Sequence, residues 1–186
     1  DVYKRQKRTQ SNKEKPGNLS SYANALDDHI NLILSQNFIN KNNIASKSIA
    51  VAVDGINSVG GVAIPKFLES LGIKKIKKIN CNPDGNFNHN PEPLPENITD
   101  LCSEVKRGKY QLGIVVDPDA DRLVLVDERG EPFGEEYTLV AAAEYLLSKN
   151  HGASTCSNLS STLALKNITE KYGGKYFSSA VGEINV

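Results

Sequence analysis

Two apolar, β-prone runs, Leu112-Gly-Ile-Val-Val116 and Leu123-Val-Leu-Val126, are separated only by Asp117-Pro-Asp-Ala-Asp-Arg122. The pattern reads as strand, acidic loop, strand. Three carboxylates at alternate positions repel one another unless water or a cation screens them, and a hard divalent cation is the strongest such partner. A fold of this chain must therefore bury the run before the loop while leaving the loop itself within reach of solvent or a cation.

The rest of the chain alternates helix and strand signals. Lys47-Ser-Ile-Ala-Val-Ala-Val53 is a short continuous apolar run and reads as a buried strand. It enters Asp54-Gly-Ile-Asn-Ser-Val-Gly-Gly61, and a helix follows over residues 62–71. A glycine-rich turn from strand to helix suits phosphate binding. The Walker lysine and the Gly-x-Gly-x-x-Gly spacing are both missing, so tight turning and close helix–sheet packing are the better account of these glycines. Pro65 is expected in the first turn or so of that helix, where its missing N–H costs least.

Residues 75–79 read as a second strand, and residues 96–107 as a helix with Ile98, Leu101, Cys102 and Val105 on one face. Between them, residues 81–95 are rich in Asn and Pro and form a rigid loop. Asp84 and His89 in this loop could be ligands, but loop capping explains them more simply. Beyond the acidic loop come a turn at 127–130, a helix opened by Phe133-Gly-Glu-Glu136, a strand at 155–158, a helix at 162–172 and a strand at 175–181. Near the start, Tyr22, Ala25, Leu26, His29, Ile30, Ile33 and Leu34 recur at helical spacing. They predict a helix from Leu19, capped by Asn18 or Ser20, with His29 packed at the edge of its face.

This alternation predicts an α/β chain: a three-layer α/β/α domain with a mixed, mainly parallel sheet, followed by part of a second similar domain. The break is expected near residues 130–134, which gives a basic, polar tail over 1–16, one domain over 17–130 and a partial domain over 131–186. Lys+Arg and Asp+Glu both number 22, so nothing in the charge balance points to nucleic acid or a membrane surface. There is no apolar run of about 18 residues that would span a membrane. The basic N-terminus lacks the apolar segment of a signal peptide. The 3 cysteines are scattered without CxxC spacing, which points to a reducing cytoplasm. The chain has no Met, begins at Asp1 and ends on an apolar run, so both ends read as cut and the sequence as a fragment of a longer protein.

Four readings compete for the acidic loop. As an EF-hand it has acids at positions 1, 3 and 5 and Glu128 at position 12, but Arg122 replaces the glycine needed at position 6. A calcium-binding, non-enzymatic module is therefore disfavoured. As a haloacid dehalogenase-type phosphatase, Asp117 would attack phosphorus and Asp119 would transfer protons, although Asp121 stands where a small hydroxyl residue is expected. A plain polar turn leaves three repelling charges without compensation. As a magnesium loop, Asp117, Asp119 and Asp121 hold Mg²⁺ while Arg122 grips a phosphate oxygen with its planar fork, which is the equipment of phosphoryl transfer.

The segment Asp117-Pro-Asp-Ala-Asp-Arg122 resembles the metal-binding loop of the α-D-phosphohexomutases, the superfamily of phosphoglucomutase, phosphomannomutase and phosphoglucosamine mutase. Val53-Asp-Gly-Ile-Asn-Ser-Val-Gly-Gly61 is similar to the opening strand and turn of that family's second domain. Gly85-Asn-Phe-Asn-His-Asn-Pro-Glu-Pro-Leu-Pro95 is similar to its proline-rich loop. Phe133-Gly-Glu-Glu-Tyr137 and the Gly173-Gly174 turn resemble its third domain. The resemblance runs over residues 19–186.

It implies a parent enzyme that moves phosphate between C1 and C6 of a hexose or hexosamine through a phosphoserine and a bisphosphorylated sugar. It implies Mg²⁺ on Asp117, Asp119 and Asp121, with Arg122 as the adjacent catalytic and substrate-binding arginine. The other domains of the same chain, carrying the phosphoserine and a further phosphate site, would be its partners. Pro118 departs from the glycine usual at that position. A Ser-His-Asn-Pro phosphoserine loop is absent, so the fragment alone is expected to be inactive. Ser160 and Glu183 fall where some members carry a proton-transferring lysine and histidine. Glu183 is thus a candidate acid–base residue, or equally a hydrogen-bonding one.

Overall fold

The strand β1 (Ala50–Asp54) is buried at every position, and the other elements are laid against it. The structure is a computed structural model and describes residues 17–186; the tail expected over 1–16 lies outside the described residues. Parallel strands flank β1 on both sides, β2 (Lys75–Ile79) on one and β3 (Leu112–Val116) on the other. Antiparallel β4 (Leu123–Val126) pairs beyond β3, giving the order β2-β1-β3-β4. In register, Val53 lies opposite Lys78 and Ile114, and Val116 opposite Leu123.

Helix α3 (Gly60–Ser70) carries the chain from β1 to β2, and α4 (Thr99–Gly108) carries it back across to β3. The two crossovers run in opposite directions along the sheet, so right-handed connections place the helices on opposite faces. The side chains of β1 divide accordingly. Val51 and Val53 pack with Ile114, Leu68, Leu71 and Ile73 beneath α3. Ala52 packs with Val115, Val124, Val126, Ile98, Leu101 and Val105 beneath α4. Each fully buried Val, Ile or Leu contributes about 1.5–3 kcal/mol. Only an uninterrupted apolar strand can serve both cores, which explains the run read from the sequence. The expected three-layer α/β/α arrangement with a mixed, mainly parallel sheet is present.

Helix α3 starts two residues earlier than its expected onset at Val62, so Pro65 sits in its second turn. The earlier start follows from contact. A Cβ on Gly55 would lie 2.2 Å from the Gly61 Cα, and one on Gly61 would lie 2.6 Å from the Cys81 Cα. The helix therefore begins where its backbone presses on the turn, and close packing is what the glycines provide.

The N-terminal helix, α1 (Ala25–Leu34), is shorter than the spacing predicts. Leu19 and Tyr22 are exposed. Without a surface to cover them, helical spacing does not sustain a turn. Asn24 takes the cap position without a side-chain cap bond, in place of Asn18 or Ser20. His29 is exposed rather than packed, and Ile30 is the residue that α1 buries. A short α2 (Lys41–Ser46) was not anticipated; Asn40 caps it by accepting from the Asn43 N–H at 2.9 Å.

The C-terminal part comprises α5 (Glu135–Leu147), β5 (Thr155–Asn158), α6 (Ala164–Lys171) and β6 (Tyr176–Ser179). β5 and β6 form a parallel two-stranded sheet. α5 packs on α6 and on β4, and the Tyr145 hydroxyl donates to the Phe38 carbonyl at 2.9 Å. The last strand stops short of the expected Val181, and a 3-10 turn, Glu183–Asn185, follows.

Candidate metal centre

β1 sends its outgoing connection toward β2, whereas β3 sends its own toward β4. Adjacent parallel strands whose connections diverge open a crevice beyond their carboxyl ends, where ligands bind in open α/β sheets. Asp54 ends β1 and Asp117 directly follows β3, so both carboxylates stand at that crevice.

The acidic loop is held in shape by its own backbone. Ala120 adopts φ 59 and donates its N–H to the Asp117 carbonyl at 3.1 Å. The Arg122 N–H donates to Asp117 Oδ1 at 3.1 Å, and the Ser58 hydroxyl donates to the Pro118 carbonyl at 2.6 Å. Pro118 is accommodated because the left-handed residue of the turn is Ala120. Asp117 is buried while Asp119 and Asp121 are exposed, and one carboxylate oxygen of each lies within 4.8 Å of the others. Two oxygens on one Mg²⁺ stand at most about 4.2 Å apart. The donors are hard oxygens, as Mg²⁺ and Ca²⁺ require. The loop's flanks are β3 and β4 paired antiparallel, not the helices of an EF-hand, so that reading is excluded.

Arg122 reaches from this loop in two directions. Its guanidinium pairs with Glu92 of the proline-rich loop, and its Nε lies 3.9 Å from Asp121 Oδ1. The sequence did not single out Glu92. Its only signal was an acid held between Pro91 and Pro93, and no local pattern names a partner thirty residues away.

The turn after β1 is bolted to the same proline-rich loop. Asp54 is wholly buried. Its Oδ1 accepts from the Ile56 N–H at 3.0 Å and from Asn80 Nδ2 at 3.1 Å, and its Oδ2 faces His89 Nε2 at 3.0 Å. His89 Nδ1 lies 2.8 Å from the Asn90 carbonyl. Burial works against a charged imidazole here, but the Asn90 carbonyl and the Asp54 carboxylate outweigh it and hold the His89 pKa above its ordinary value. Ile56 and Asn57 have φ 45 and 53, an unusual backbone for a β-branched residue and a sign of local strain at this turn. Asn57 stabilises it by donating to the Asn86 carbonyl at 2.8 Å and accepting from the Asn82 N–H at 3.1 Å.

Of the loop residues considered as ligands, Asp84 instead caps, accepting from the Asn86 N–H and Asn82 Nδ2, each at 2.8 Å. His89 pairs with Asp54. In the C-terminal part, Ser160 donates through its N–H and its hydroxyl to Asn158 Oδ1. Glu183 begins the final 3-10 turn, and its side chain lies outside what is described.

Residues 20–130 match the profile of phosphoglucomutase/phosphomannomutase, alpha/beta/alpha domain II. The chain belongs to this family. A phosphoglucomutase of Neisseria gonorrhoeae is 34% identical over 138 residues, which cover 73% of this chain and 30% of that protein. A phosphoglucosamine mutase-like protein of Methanopyrus kandleri is 28% identical over 91% of this chain and 38% of its own length. The X-ray structure of a phosphoglucomutase/phosphomannomutase family protein from Burkholderia thailandensis superposes with a TM-score of 0.68 at 26% identity, covering 84% of this chain and 33% of that one. The chain thus spans about a third of the length of these relatives. None of these names is that of a haloacid dehalogenase-type phosphatase or of a calcium-binding module.

Proposed function

We propose that this chain supplies the metal-binding domain, residues 17–130, and part of a third domain, residues 131–186, of a magnesium-dependent phosphohexomutase. The whole enzyme would interconvert the 1- and 6-phosphates of a hexose or hexosamine through a phosphoserine carried by another of its domains. One observation carries the reading: three carboxylates converge beside an arginine at the crevice between β1 and β3. Asp117, Asp119 and Asp121 would hold Mg²⁺, which supplies charge stabilisation to a transferring phosphoryl group. Arg122 would bind a phosphate oxygen through its planar fork. Glu183, in the chain after β6 ends at Ser179, would move a proton to or from a sugar hydroxyl or hold that hydroxyl by a hydrogen bond.

Sequence features support the remaining details. No Ser-His-Asn-Pro loop occurs in the 186 residues, so this chain alone should show no mutase turnover. No described helix is long and apolar enough to cross a membrane, and the scattered cysteines suit a cytoplasmic setting. Mg²⁺ titration followed by backbone amide shifts tests the assignment. Shifts centred on residues 117–121 at millimolar metal are expected, and an unmoved loop would overturn it. Hydrolysis of an aryl phosphate by this chain, abolished by Asp117→Asn, would favour a phosphatase instead.

A further inference from the structure

Both ring nitrogens of His89 face acceptors. Nε2 lies 3.0 Å from Asp54 Oδ2, and Nδ1 lies 2.8 Å from the Asn90 carbonyl. The Asp54 oxygen already accepts from Asn80 Nδ2 at 3.2 Å. A neutral imidazole carries one N–H and can serve only one of the two oxygens, whereas the imidazolium serves both. Burial opposes the charged ring, but the Asn90 carbonyl, Asp54 at the end of β1 and Asp100 in the first turn of α4 outweigh it. The His89 side chain is 16% exposed, so the ring still exchanges protons with solvent.

Asn90 links this ring to Arg122. Its carbonyl faces His89, and its Oδ1 accepts from the Glu92 N–H at 3.1 Å. Asn90 and Glu92 each precede a proline, Pro91 and Pro93, which leaves the segment few backbone states in which a displacement could be absorbed. The Glu92 carboxylate pairs with the Arg122 guanidinium. A chain of contacts thus runs from the end of β1 through His89, Asn90 and Glu92 to Arg122. We propose that His89 is a proton-dependent positioning residue for Arg122. With hydrogen on both ring nitrogens it fastens the Asn90–Glu92 segment to the end of β1 and holds the guanidinium where Glu92 meets it. Loss of one proton frees the segment and lets the guanidinium move. The link from His89 to Arg122 needs no cation; only its consequence for a bound phosphate rests on the reading of Arg122 given above.

Carbon-detected NMR of the 186-residue chain tests this from about pH 5.5 to about pH 9, above the range in which carboxylates ordinarily titrate. The Arg122 Nε and Cζ resonances should step at the midpoint of the His89 ring, which should itself lie above the ordinary value of about 6.5. The guanidinium should be ordered below that midpoint and mobile above it. His89→Gln should abolish the step. Glu92→Ala, at a side chain 46% exposed, should also abolish it while His89 goes on titrating. Arg122 resonances that stay still across the His89 midpoint overturn the proposal. So does a step that survives in Glu92→Ala, because the ring would then act on Arg122 through space by its charge. Neither metal nor phosphate enters these measurements. An Mg²⁺ titration that leaves residues 117–121 unmoved removes the metal reading and leaves this inference standing, whereas a flat Arg122 profile does the reverse.

Discussion

His89 Nε2 stands 3.0 Å from the Oδ2 of Asp54, a carboxylate with no exposed surface. The pair joins the proline-rich loop to the end of the central strand. Because the His89 pKa is raised in the folded state, the charged pair contributes stability that is complete below the unfolded value of about 6.5. That contribution is lost as pH rises through the folded value. The urea midpoint of the chain should therefore exceed that of His89→Gln by more at pH 5.5 than at pH 8.5. A gap that is the same at both pH values would refute the pairing. Asp54→Ala, which strips His89, Asn80 and the Ile56 N–H of their acceptor, should cost about 3 kcal/mol at neutral pH.

Gly55 touches Gly61 across the turn that launches α3. An added Cβ would sit 2.2 Å from the Gly61 Cα, and neither backbone can withdraw without moving a helix whose Pro65 and Leu68 are buried. Gly55→Ala should lose about 3 kcal/mol in urea denaturation. Gly17, with nothing within 4 Å of its added Cβ, is the control, and Gly17→Ala should be neutral. Equal stability of the two variants would contradict the packing described.

Asp119 is exposed and lies outside both hydrophobic cores. Asp119→Asn should change stability by less than about 0.5 kcal/mol while weakening Mg²⁺ binding about tenfold, since a neutral amide replaces one of three charged donors. Amide-shift titration read beside a thermal melt separates the two effects. A melt that falls along with the affinity would make the loop structural.

The three cysteines should react in a set order. Burial raises the pKa of both Cys81 and Cys102, and the Cys81 thiol also donates to the Ile79 carbonyl at 3.1 Å. Cys156 is exposed. With iodoacetamide at pH 8, peptide mass spectrometry should find Cys156 modified first and the other two only on unfolding. Early labelling of Cys81 would mean that the turn it packs against opens readily.

The strands and the larger helices were readable because burial leaves a local record. An uninterrupted apolar run such as Val51-Ala-Val53 announces two covered faces, and the spacing of Ile98, Leu101 and Val105 announces one. The record failed where burial was not local. Leu19 and Tyr22 have the right spacing for α1 but meet no surface, and His29 has the right phase but faces solvent. The short α2 carries too few apolar residues for a period to show.

The site divides in the same way. That Asp117, Asp119 and Asp121 stand close together beside Arg122 was visible because the four lie within six residues, so the mutual repulsion of the three carboxylates can be read along the chain. Asp54–His89 and Arg122–Glu92 were not, because each joins residues about thirty or more apart. Their pairing follows from the parallel adjacency of β1 and β3 at the centre of the sheet, which brings two loops to one crevice. Local composition specifies which groups carry charge and which segments must be buried. Which charge meets which depends on chain crossings that no short window contains, and here those crossings place Glu92 beside Arg122 at the rim of the acidic loop.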